Sequence, residues 1–214
     1  MAKKKAAKKK LTSSPPRPGA GVTRAPVPFV VYQFKITLAD ADPAIWRRIQ
    51  TADCTLHTLH RHIQAFMGWS DSHMHHFVIG RRLYGVQDFS EGGMSGGYVF
   101  DSSAILLSSL LPASGKRAKF SYTYDFGDNW EHEILFEGCL TPDPRAKYPL
   151  CIEGERACPP EDCGGTLRFE HILEVLGDPS HEEYDQVAES YGWFDPEAFD
   201  AKRATVRMVK GLLA

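Results

Sequence analysis

Long apolar runs are missing from this chain. No stretch of its 214 residues approaches the roughly 18 consecutive apolar side chains of a membrane-spanning helix. The start, MAKKKAAKKKLTSSPPRPGAG, also lacks the about 7 to 15 apolar residues of a secretory signal. The expected protein therefore has no membrane span and is cytoplasmic. There are only five cysteines, and with no secretory stretch ahead of them they speak for a reducing compartment and against a disulfide framework. The glycine-rich SEGGMSGGYVFD, expected to be a flexible loop, matches neither a phosphate-binding Gly-x-x-x-x-Gly-Lys nor a dinucleotide fingerprint. Phosphate cradling thus carries little weight.

Acids are absent before residue 26, where Lys3, Lys4, Lys5, Lys8, Lys9, Lys10, Arg17 and Arg24 stand among Ala, Pro, Ser and Gly. Such a segment cannot bury enough apolar area to offset the entropy of ordering, so residues 1–26 are expected to form a disordered basic arm. Residues 27–214, with more acids than bases, are expected to form one folded domain. The lysines from Lys3 to Lys10 could contact nucleic acid weakly and without sequence preference, through counterion release. A solubilising tail explains them equally well.

What the chain does have is periodicity. In PFVVYQFKITL, Tyr32, Phe34, Ile36 and Leu38 alternate with polar positions, predicting a strand with one buried face. A turn at Asp42-Pro43 and a second strand around Trp46 to Ile49 complete a hairpin. CTLHTLHRHIQAFMGW places Leu56, Leu59, His60, Ile63, Phe66 and Met67 on one helical stripe, with Thr55 as cap and Gly68 as stop. His60 on that stripe reads as a hydrogen-bonded core residue, and His57 and His62 as solvent-facing. SHMHHFVIG predicts a strand with His73, His75 and Phe77 on one face. KRAKFSYTYDFGDNWEHEILFEG predicts a hairpin in which Phe120, Tyr122, Tyr124 and Phe126 alternate into the turn and Trp130, His132, Ile134 and Phe136 alternate out of it. Helices follow: TLRFEHILEVLGD, with Leu167, Ile172, Leu173 and Leu176 as core positions; PSHEEYDQVAESYG, with Pro179 in its first turn; and DPEAFDAKRATVRMVKGLLA, with Asp195 as cap. The expected class is α+β: a mostly antiparallel or mixed sheet with helices packed on it and a helical C-terminal third.

Six segments in this order, PAIWRRI, SHMHHF, YTYDFGDNWEH, GERACPPEDCGG, GDPSHEEYD and GWFDPEAFD, resemble the plasmid pRiA4b ORF-3-like family. The resemblance spans roughly Phe29 to Arg203. It implies a fold without an assigned activity, carried by some members as passengers of plasmids and insertion elements under a resolvase-like label. The residues do not support that label. A serine recombinase needs an activated serine and clustered arginines near its start, where this chain has a Lys/Pro arm and a strand, and the acidic body would repel DNA. After the double glycine, where the family pattern has a short Pro/Gly/Tyr stretch, this chain has Thr166, Leu167, Arg168 and Phe169.

Two constellations could carry chemistry. Cys151, Cys158 and Cys163, spaced C-x6-C-x4-C, could hold zinc together with His75 and His132 from the sheet. Reduced, uncoordinated cysteines are the plainer alternative. Secondly, His73, His75, Asp125, Asp128, Trp130, His132, Glu161 and Asp162 could line one acidic and aromatic pocket for a cation or a basic peptide. Against that, Asp125 and Asp128 flank a turn glycine and could serve only the turn. No complete nucleophile, base and orienter set is legible. The leading expectation is a non-catalytic binding or interaction module for a protein or peptide partner. The alternatives are a zinc-dependent hydrolase and a DNA-binding accessory protein acting through the lysine arm.

Overall fold

The structure, a computed structural model, describes residues 29–86 and 98–211. The expected basic arm and the glycines of SEGGMSGG lie outside the described residues.

The first hairpin forms as its alternation predicts. Strand β1 (Val31–Leu38) pairs antiparallel with β2 (Trp46–Ala52), with Thr37 opposite Trp46 at the closed end. Phe34, Ile36 and Leu38 are buried on one face. Helix α1 (Leu56–Met67) follows. The Thr55 hydroxyl accepts the Thr58 amide at 3.1 Å, and the helix stops at Gly68, whose φ of 85° only glycine adopts readily. His62, expected in solvent, is buried, one ring nitrogen lying 3.3 Å from the Thr51 hydroxyl. The physical cause is that the end of β2 flanks the helix, so its buried arc is wider than one stripe.

Strands β3 (His75–Ile79) and β4 (Arg82–Gly85) form a second hairpin, and β5 (Val99–Asp101) adds in parallel to β4. A single helical turn, α2 (Leu107–Leu110), leads to the long hairpin of β6 (Ala118–Tyr124) and β7 (Trp130–Leu140). Strand β8 (Leu150–Glu155) joins the free edge of β2. The eight-stranded sheet runs β5-β4-β3-β6-β7-β1-β2-β8 and is antiparallel except for the β4–β5 pair. Phe77, Phe120, Tyr122, Ile134 and Phe136 cover the face on which α1 lies. Phe126 departs from its predicted alternation because it sits in the turn, exposed and against the His76 ring.

Helices α3 (Gly165–Gly177), α4 (Tyr184–Tyr191) and α5 (Ala201–Gly211) complete the α+β fold. The last third is not a purely helical unit, since it opens on β8, and loops separate the helices. The core side of α3 is Phe169, Ile172 and Val175, while Leu167 is 83% exposed. The α5 cap is Asp200, which accepts the Arg203 amide at 2.9 Å; Asp195 instead closes a turn by accepting the Glu197 amide. Helix α5 packs behind α1 and β8: the Cys151 amide donates to the Thr205 hydroxyl, and the Arg61 guanidinium donates to the Gly211 carbonyl. Among the described residues no helix is long and apolar enough to cross a membrane.

Candidate functional site

The C-terminal end of α1, the loop leading into β3, the tip of the β6–β7 hairpin and the Cys-Pro-Pro-Glu-Asp loop meet at one end of the sheet. Register explains why: His75 lies opposite Tyr124, and Tyr122 opposite His132, so imidazoles and phenols share one face of neighbouring strands.

Tyr122 is the centre of a buried polar network. Its hydroxyl lies 2.8 Å from His60 Nδ1 and accepts the Gln64 side-chain amide at 3.0 Å. His60 Nε2 donates to Asp71 Oδ1 at 2.7 Å, which leaves Nδ1 as acceptor of the Tyr122 proton. The Gln64 carbonyl oxygen accepts the Asp71 amide at 3.2 Å, closing the ring of contacts. Burial by itself would raise the Asp71 pKa, but the hydrogen bond from His60 and the nearby imidazoles of His60, His75 and His57 together outweigh it and hold the carboxyl below its ordinary value. The His75 ring stacks on His60 with centroids 3.5 Å apart, is 4% exposed, and keeps a buried Nε2 that makes no hydrogen bond. Burial, and then the neighbouring His60, push its pKa down to about 3. His60, Asp71 and His75 each offer a ligand atom within 4.8 Å of the others.

A second cluster sits at the rim. His73 Nε2 lies 2.7 Å from Asp162 Oδ1 and 3.7 Å from Asp125 Oδ2. The bond to Asp162 raises the His73 pKa above its ordinary value. These three residues form another group with ligand atoms within 4.8 Å. Glu161 beside them accepts from the Ser70 amide at 2.8 Å, the Ser70 hydroxyl at 2.7 Å and the Tyr124 hydroxyl at 2.6 Å. Burial would raise its pKa, yet these donors keep it below the usual value. Asp125 also serves its turn, with Oδ1 accepting the Gly127 amide at 2.9 Å. Asp128 reaches the cysteine loop instead, accepting the Gly164 amide at 3.0 Å.

His73, Asp125, Glu161 and Asp162 of the predicted pocket therefore converge, with His75 one layer below. Trp130 and His132 do not line it. Trp130 is fully buried, and His132 Nδ1 donates to the Trp130 carbonyl at 3.0 Å beneath the Trp69 ring. Burial lowers the His132 pKa to about 4. The predicted Cys/His zinc set is not assembled: among the described residues no cysteine belongs to a group that could hold a metal. Geometry is the reason. Cys151 lies in β8 with its thiol toward the Glu153 carbonyl, and Cys158 points away from the histidines, its thiol donating to the Phe66 carbonyl and accepting Arg47 Nη2 at 3.0 Å. Cys163 is buried at the base of α3, and burial raises its pKa to about 12. Neutral, buried thiols are poor metal ligands.

His60, Asp71, Tyr122 and Tyr124 escaped the sequence reading as site residues. The available signal was the density of histidine and acid across HTLHRHIQAFMGWSDSHMHH, which a helix, a short loop and a strand fold back on itself.

An α+β protein with a mixed eight-stranded sheet, carrying a histidine–carboxylate cluster where α1 meets β3, is thus defined by the fold and the site. The chain belongs to the plasmid pRiA4b ORF-3-like protein family, whose model matches residues 30–203. It is 33% identical over 175 residues to the uncharacterized protein y4hQ of Sinorhizobium fredii, covering 81% of this chain and 86% of that protein. The crystal structure of a protein of unknown function, MM3350 from Methanosarcina mazei Go1, is similar with a TM-score of 0.73 and 36% identity, covering 82% of this chain and 98% of that one.

Proposed function

We propose that the protein is a non-catalytic binding module whose ligand is a divalent transition metal, zinc foremost, taken by His60, Asp71 and His75. The observation that carries this reading is the unpaired, buried Nε2 of His75 beside an imidazole and a carboxylate that are already held in place. A buried polar atom without a partner costs about 1 to 3 kcal/mol, and a metal ligand bond would remove that cost. The outer contacts suit a metal too: with the ion on His60 Nε2 in place of its proton, Nδ1–H donates to the Tyr122 hydroxyl, and Gln64 braces the Asp71 backbone, as supporting groups do around bound ions. Two imidazoles and a carboxylate satisfy zinc, and they leave one place in a tetrahedral shell for water or for a side chain of a protein partner.

Calorimetric titration of the full chain with zinc is the test. One tight equivalent, lost in both His75→Ala and Asp71→Asn but retained in Cys158→Ser, supports the assignment. Absence of binding in the unaltered protein, or loss in Cys158→Ser alone, overturns it. The open fourth place favours one second reading, a zinc-dependent hydrolase, which requires metal-dependent turnover of an ester or amide. A role for the lysine arm in weak DNA contact is a separate proposal, tested by removing residues 1–26 and measuring DNA retention against salt.

A further inference from the structure

On the other side of the Cys-Pro-Pro-Glu-Asp loop lies a cleft of about 770 Å³, walled by the end of α1, that loop and residues 193–207. Three guanidinium groups line it: Arg47, Arg203 and Arg207. Arg47 is only 3% exposed, and among the described residues no carboxylate lies within ion-pair distance of it. Its Nη atoms donate to the carbonyls of Trp46, Glu155 and Arg156 at 2.6 to 2.7 Å and to Cys158 Sγ, and its buried Nε has no partner. A buried cation is ordinarily paired, because carbonyl dipoles replace only part of its lost hydration. Among the described residues no anion within ion-pair distance supplies the missing charge.

The carboxylates of the same cleft are already committed. Glu161 is held by Ser70 and Tyr124, Asp195 accepts the Glu197 amide, and Asp200 caps α5. Arg203 and Arg207 form no ion pair among the described residues, and Arg207 is placed over the end of α1, its Nη1 within 3.0 Å of where a Cβ on Gly68 would stand. The remaining wall is aromatic. Trp193 is 72% exposed, yet its indole N–H is satisfied by the Ser190 carbonyl at 2.9 Å, so what it presents to a ligand is its ring. Phe194 stands edge-on to it, and Phe199 packs under the Arg47 guanidinium at 4.3 Å.

We infer that this cleft binds a small oxyanion, a phosphate or carboxylate, attached to a planar ring, with Arg203 and Arg207 on the oxyanion, Arg47 supplying charge from below and Trp193 stacking on the ring. The volume falls within the roughly 300 to 1,000 Å³ of small-molecule sites, and guanidinium forks match both oxyanions. The site is independent of the metal reading, since none of its groups touches His60, Asp71 or His75.

Calorimetry on the full chain in the presence of EDTA tests it, with adenosine monophosphate, indole-3-acetate and inorganic phosphate as separate probes. Binding of either aromatic oxyanion, weakened by about tenfold or more in both Arg203→Gln and Arg207→Gln and reduced in Trp193→Ala, supports the site; which of the two binds more tightly identifies phosphate or carboxylate as the preferred head. Inorganic phosphate should bind more weakly than the better aromatic probe, because it lacks the ring. No heat from either aromatic probe into the millimolar range, or affinities unchanged in the two arginine variants, overturns the inference. Arg203 and Arg207 are exposed, so their variants should fold, which unfolding midpoints equal to that of the unaltered protein would verify.

Discussion

The imidazoles of His60 and His75 lie face to face, 3.5 Å apart and 6° from parallel, although one stands on a helix and the other on a strand. Parallel stacking of this kind requires that the two rings not both be protonated, and burial ensures it for His75. Since each nitrogen lone pair lies in its own ring plane, one ring must turn for both to bind a single ion. Tyr122 and Asp71 fix the orientation of the His60 ring, so His75 is the ring expected to turn, and the proton that His60 Nε2 shares with Asp71 must leave for the ion to take its place.

Acid should weaken the fold through the buried histidines. The pKa of His75 is lowered to about 3, and those of His62 and His132 to about 4, so each binds its proton less readily when folded than when unfolded. Their contribution is complete above the ordinary histidine value and is lost as pH falls from about 6.5 toward about 4 for His62 and His132 and about 3 for His75. His73, with its raised value, acts in the opposite sense, but its pair with Asp162 is exposed and contributes little. Urea midpoints should fall on going from about pH 7.5 to about pH 5, by a summed loss on the order of a few kcal/mol, and His75→Phe should flatten the slope. Equal midpoints at the two pH values would count against neutral buried imidazoles.

His73 should titrate above the ordinary histidine value because of Asp162. In an NMR titration its ring signals should report a raised pKa that moves back toward the ordinary value in Asp162→Asn, with Asp125 retaining a smaller influence from 3.7 Å. A titration unchanged by Asp162→Asn would show that the pair does not persist in solution.

Tyr122→Phe removes one oxygen and leaves two buried partners unsatisfied, His60 Nδ1 and the Gln64 amide. A loss of about 1 to 3 kcal/mol is expected in chemical denaturation. If zinc binds where proposed, its affinity should drop by roughly 10 to 100-fold as well, because Nδ1 of the metal-bound His60 loses its hydrogen-bond partner.

Gly165→Ala should loosen the cysteine loop from the hairpin tip. The backbone there has a φ of 77°, and an added Cβ would lie 2.5 Å from the Asp128 carbonyl oxygen, a contact that cannot form without moving one backbone away from the other. A cost of about 2 to 4 kcal/mol follows from left-handed strain and overpacking together. Gly177→Ala is the control: nothing lies within 4 Å of its added carbon, so its effect should stay within about 1 kcal/mol.

Much of the site's framework was legible because local chemistry specified it. Thr55 and Gly68 delimit α1, the alternation through Tyr122 and Tyr124 places the phenols on one face, and Asp125 serves the turn as its position beside Gly127 suggests. The acids of the Cys-Pro-Pro-Glu-Asp loop meet His73, not the His75 and His132 expected beside them. Its thiols do not. Leu167 shows the same limit in the core: helical spacing made it a core position, but α3 turns Phe169, Ile172 and Val175 inward and leaves Leu167 in solvent. Replacing it by a polar residue should change stability by no more than about 0.5 kcal/mol.

By itself the sequence determined the α+β class, the strands and helices with strong period, the family, and the pool of histidines and acids from which a site could be drawn. Only the tertiary structure decided which of them meet. The side on which Cys158 projects, the burial of His132 and the stacking of His75 on His60 depend on strand order and on how α1 and α5 pack, contacts between residues far apart in the chain. Periodicity fixes the face of an element that is buried. It carries no information about which other element covers that face.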